Sequence, residues 1–150
     1  MKYFNYLLVA LLTVACTTKQ KFETASQAPV KDKSGMALQV NWLKDKTVKY
    51  DVEVVMTNES EKARIVMLSD IHCFKGDTRG ILKHTFFNTG ERTIDFQPGE
   101  NKSFKLVCNH HTPADGAFRL LVTKIYDNPE MDGASKGEIV SKNLEWTLSK

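Results

Sequence analysis

Along residues 49–56 the side chains alternate: Tyr50, Val52, Val54 and Met56 are apolar, and Lys49, Asp51 and Glu53 between them are charged. Successive residues of an extended strand point to opposite faces, so this run can bury one row of side chains and leave the other in water. The same period of two recurs. Met36, Leu38, Val40 and Trp42 form one row, and Phe104, Leu106 and Cys108 another. Phe118, Leu120, Val122, Lys124 and Tyr126 form a third, and Leu144, Trp146 and Leu148 close the chain. Residues 63–68 are apolar on both faces and read as a central strand, with 71–74 as its continuation. Residues 81–87 and 93–96 add two more. Polar turns separate these runs at 44–46, 58–62, 75–80, 88–91, 109–116 and 127–137. Gln97-Pro98-Gly99-Glu100 has the form of a type II turn, with proline setting φ at the second position and glycine supplying positive φ at the third. No segment from Met36 onward shows a 3.6-residue period. About seven to nine short strands at this spacing predict an all-β fold, and the long connections favour a Greek-key β-sandwich over an up-and-down barrel.

The chain has 150 residues, enough for one domain with a substantial core. Its net charge is +3, and Lys and Arg are interspersed with Asp and Glu, which argues against nucleic acid as a partner. The first fifteen residues are of a different kind. Lys2 and the amino terminus precede an apolar run from Tyr6 to Ala15. Ten residues are too few to span a bilayer core of about 30 Å, which needs about 20 in a helix. They suit the apolar region of a secretory signal at 1–15, with small Ala15 at the cleavage position.

Leu12, Thr13, Val14, Ala15 and Cys16 resemble the bacterial lipobox, departing from it at Thr13, where leucine is usual. The resemblance implies a diacylglyceryl thioether on Cys16, cleavage before it and N-acylation, by palmitate or a similar chain. Two or three acyl chains anchor stably where one does not. Thr17 is not the aspartate that marks inner-membrane retention in enteric bacteria, so the resemblance implies the outer membrane, facing the periplasm. Residues 16–35 are polar and read as a lipidated N-terminus and flexible tether, with a typical reach of about 20–25 Å. The folded domain is then expected at 36–150.

Residues 97–122 resemble the E-to-F region of immunoglobulin-like and fibronectin III-like domains. A Pro-Gly-Glu turn and an alternating strand are followed by Asp115-Gly116-Ala117-Phe118-Arg119-Leu120. Phe118 and Leu120 stand where immunoglobulins carry the corner tyrosine and the cysteine. The resemblance implies an immunoglobulin-like architecture, a scaffold that hosts many functions.

Cys73 and Cys108 remain once Cys16 is lipidated. An even pair in an oxidising compartment predicts a disulfide. A sharper alternative is a copper or zinc site in a periplasmic metal-handling protein, built from His72, Cys73, Cys108, His110 and His111. The opposite facing of adjacent strand residues counts against His72 and Cys73 ligating one ion. Residues 128–133 resemble the first half of a calcium loop, but Ile139 stands where a bidentate glutamate is needed. No nucleophile elbow, phosphate loop, dinucleotide fingerprint or zinc-protease motif occurs, so no enzyme activity and no cofactor are expected. The sequence therefore predicts a non-enzymatic envelope lipoprotein, held to the membrane by its anchor, that binds a protein, peptide or glycan. Its surface is expected in loops 75–80, 109–116 and 127–137 at one end of the sandwich.

Overall fold

The computed structural model describes residues 21–24, 27–84, 92–129 and 136–148. Among the described residues twelve strands follow one another: β1 (Lys21–Thr24), β2 (Val30–Lys31), β3 (Met36–Asp45), β4 (Lys49–Asn58), β5 (Arg64–Met67), β6 (Ile71–Lys75), β7 (Thr78–Arg79), β8 (Ile81–His84), β9 (Thr93–Phe96), β10 (Asn101–Asn109), β11 (Phe118–Asp127) and β12 (Ile139–Thr147). They form two antiparallel sheets. The first has the order β1-β3-β4-β10-β8, with β2 also on β3; the second has the order β7-β6-β11-β5-β9, with β12 on the other side of β11. The protein is an all-β sandwich. A 3-10 turn, Leu68–Asp70, separates β5 from β6, and both lie on the same side of β11.

The alternating rows become the core. Tyr50, Val52, Val54 and Met56 of β4 are buried, as are Phe104, Leu106 and Cys108 of β10. Phe118, Leu120 and Val122 of β11 and Leu144, Trp146 and Leu148 at the chain end face them from the second sheet. The alternation fails in two places, and each is a bulge. On β3 the register slips between Val40 and Trp42, which turns Leu43 inward after Met36, Leu38 and Val40. On β11 it slips between Ile125 and Tyr126, so both of these are buried while Lys124 is exposed. An extra residue in one strand reverses every side chain beyond it.

Sheet formation begins before Met36, inside the stretch read as a tether. β1 pairs with residues 42–45 of β3, and β2 pairs with Leu38 and Ala37. Val30 and Lys31 are both exposed. A strand that docks by backbone bonds alone leaves no apolar periodicity to read. Cys16, the signal segment, the turn at 88–91 and residues 130–135 lie outside the described residues.

Asn58 reads as a turn residue and is instead a fully buried hub. Its Nδ2 donates to the carbonyls of Lys62 (2.8 Å), Gln97 (3.1 Å) and Phe96 (3.3 Å). Its Oδ1 accepts from Ser60 N and Oγ at 3.1 and 2.7 Å. One amide side chain thus ties the β4–β5 connection to the β9–β10 turn.

Loops 75–80 and 109–116 do meet at one end, where Gly76 N donates to Ala117 O at 2.9 Å. The described ends of the loop after β11, residues 127–129 and 136–138, lie at the other end. His110 N donates to Val48 O just before β4, whereas Asn128 N donates to Ala63 O beyond the end of β4. The expectation of three clustered loops is corrected to two, because β11 runs the length of the sandwich.

Candidate functional site

Cys73 lies on β6 of the second sheet and Cys108 on β10 of the first, and both side chains face the core. They are bonded to each other, with Cα atoms 6.2 Å apart, so the disulfide joins the two sheets. The span of 35 residues corresponds, in the chain-entropy model, to about 4 kcal/mol. Neither sulfur is exposed.

Two residues pack directly on the bond, His110 and Gly80. His110 is 6% exposed and its Nε2 stands 3.4 Å from Cys108 Sγ. Its ring meets Tyr50 edge-on at 5.4 Å. Burial, and then the Lys75 ammonium, hold this imidazole below its ordinary pKa. Gly80 covers the bond from outside. A Cβ at this position would overlap Cys108 Sγ and lie 3.0 Å from both Cys73 Sγ and His110 Nε2. Gly80 N is held by Cys73 O at 2.9 Å, which keeps the backbone against the sulfurs. Glycine is required here by the close approach, since its φ is ordinary.

The outer face of Gly80 is the floor of a cleft of about 540 Å³ at the seam between β6, β7 and β8. Leu68, Ile81 and Leu82 supply apolar wall, and Ile81 is half exposed. His72, Arg79 and His111 supply the polar part. The Arg79 guanidinium donates to His72 Nδ1 at 2.7 Å, which leaves the His72 proton on Nε2. Burial, and next the Arg79 charge, lower the His72 pKa against the opposing pull of Asp70. Asp70 itself is engaged away from the cleft: Tyr126 Oη donates to its Oδ2 at 3.1 Å, and Thr123 Oγ1 to its Oδ1 at 3.3 Å. Burial, and then the hydrogen bond to Asp70 and its charge, raise the Tyr126 pKa. Among the described residues no carboxylate lines the cleft.

The metal reading is corrected on this geometry. Both thiols are consumed in the disulfide, so neither Cys73 nor Cys108 can act as a thiolate ligand. The histidines also diverge. His72 and His111 line the cleft, while His110 lies behind Gly80 on the sulfurs. Among the described residues no three of His, Cys, Asp or Glu converge on one point. The sequence places Arg79 and Gly80 within loop 75–80, one of the expected surface loops, but gives neither a role of its own. They sit in a stretch that carries only turn signals, and nothing local reveals that β7 and β8 flank a seam.

Fold and site together define a β-sandwich stapled between its sheets, with a mixed apolar and cationic cleft beside the staple. No family model matches the chain, and no curated protein matches it significantly.

Proposed function

We propose that this chain is an exported lipoprotein, anchored through Cys16 in the bacterial envelope, whose sandwich is a non-enzymatic binding module for an envelope protein, peptide or glycan. The observation that carries the reading is the seam cleft. It combines apolar walls with a few polar groups, the composition of a ligand site. An intersheet disulfide suits an oxidising compartment, which supports export.

Two measurements test the reading. Palmitate labelling of the full chain in a bacterial host should mark the wild type, which should sediment with membranes; Cys16→Ala should lose both properties. A photoreactive amino acid at Ile81 should crosslink to a partner in cells, whereas the same group at Lys124, exposed elsewhere on the second sheet, should not. Equal labelling of Cys16→Ala would remove the anchor. Equal or absent crosslinking at the two positions would remove the cleft.

A further inference from the structure

The cleft carries more information about its ligand than its shape alone. Its polar side chains are the Arg79 guanidinium, His72, whose remaining proton is on Nε2, His111 and the Ser69 hydroxyl, all able to donate hydrogen bonds and one of them a fixed cation. Among the described residues no ion pair involves Arg79. A guanidinium presents a planar fork that matches a carboxylate in two parallel hydrogen bonds. One end of this fork already rests on His72 Nδ1, which holds the group in place. The apolar walls of Leu68, Ile81 and Leu82 lie beside it. The complementary group is therefore a carboxylate on a short apolar stem.

The backbone beside the cleft narrows the source. β8 ends the first sheet and, among the described residues, pairs on one side only, with β10. A strand edge offers a row of backbone donors and acceptors that an extended chain can pair with. An acyl chain has nothing to offer such an edge, whereas a polypeptide has.

Resting on the binding-module reading above, we propose that the seam cleft captures the C-terminal residue of a polypeptide, its carboxylate on Arg79 and its apolar side chain between Leu68, Ile81 and Leu82, with the preceding residues extended along β8.

Calorimetric titration of the full chain, purified in detergent and oxidised, tests this with three probes. They are an acetylated valyl-threonyl-leucine tripeptide with a free carboxylate, the same tripeptide amidated, and butyrate. The acid should bind saturably and the amide at least about ten-fold more weakly, the loss expected for one charge-assisted contact. Butyrate should bind more weakly than the tripeptide acid. Arg79→Gln should bring acid and amide to the same affinity, and Arg79→Lys should restore part of the difference by its charge alone. Because Arg79 is exposed, both variants should unfold at the wild-type urea midpoint, which separates loss of binding from loss of fold. Equal affinity for acid and amide would overturn the carboxylate assignment. Butyrate binding as tightly as the tripeptide would assign the site to an acyl carboxylate instead. Absence of tripeptide binding alongside a specific Ile81 crosslink in cells would sink this proposal and leave the binding module standing; absence of both would sink the two together.

Discussion

Gly80→Ala tests the close approach of the backbone to the disulfide. The added methyl group would overlap Cys108 Sγ and stand 3.0 Å from Cys73 Sγ and His110 Nε2, where ordinary contacts to carbon begin near 3.5 Å. None of these atoms can retreat easily. The sulfurs are bonded across two sheets, and His110 is wedged on Tyr50. Overpacking of a core costs about 1–3 kcal/mol, and a clash with an immobile bond belongs at about 3. The φ of Gly80 is not positive, so backbone strain adds nothing and the cost is steric. Removing the sulfurs should therefore remove most of it. In a Cys73→Ala/Cys108→Ala background, Gly80→Ala should cost less than about 1 kcal/mol, an interaction of about 2 kcal/mol between the sites. Equilibrium urea unfolding of the four proteins measures this, with mass spectrometry confirming the bond. Equal costs in both backgrounds, with the disulfide intact in the first, would refute the assignment of Gly80 to sulfur packing.

Asn58→Ala should destabilise by about 2–4 kcal/mol, because it leaves buried carbonyls of the β4–β5 and β9–β10 connections without their donor; a change below 0.5 kcal/mol in urea unfolding, about the level of an ordinary surface substitution, would show the hub to be dispensable. Replacing Cys73 and Cys108 together by alanine should lower stability by about 3–4 kcal/mol while the far-ultraviolet spectrum stays that of a β protein. Stability should also fall with acid. The pKa values of His72 and His110 are lowered in the folded state, so below 6.5 the unfolded chain takes up protons that the folded chain refuses. The urea midpoint should hold above that pH and drop as the pH falls through the folded values, and His110→Gln should flatten part of the drop. A midpoint that rises on acidification would contradict the burial of these rings.

The strands were the legible part, because burying one face of a pleated strand imposes a period of two on the residues themselves. Lys49–Asn58 follows that rule along its whole length. Its failures at Val40/Trp42 and Ile125/Tyr126 were not legible, since a bulge is chosen by the partner strand's register. β1 and β2 escaped notice for a related reason: edge pairing uses backbone groups that every sequence carries. The cysteine pair was legible through its number and its expected compartment. The candidate site was legible only in part. His72 and His111 stand out in the sequence as candidate ligands of an ion, while Arg79 and Gly80 fall within the expected surface loop 75–80 with no signal of their own.

The sequence by itself determined that the chain is built of strands, that Cys73 and Cys108 lie within its strand-forming part, and that an apolar segment ending at Ala15 precedes them. These are properties of local order and residue type. The tertiary structure decided which sheet each strand joins, that the disulfide crosses between sheets, that Gly80 must lack a Cβ to lie against it, and that His110 faces sulfur while His72 and His111 face a cleft. The disulfide joins residues 35 positions apart, and the register of the strands sets which side chains meet its sulfurs and which meet the cleft. No local pattern encodes them, because packing two sheets is a property of both at once.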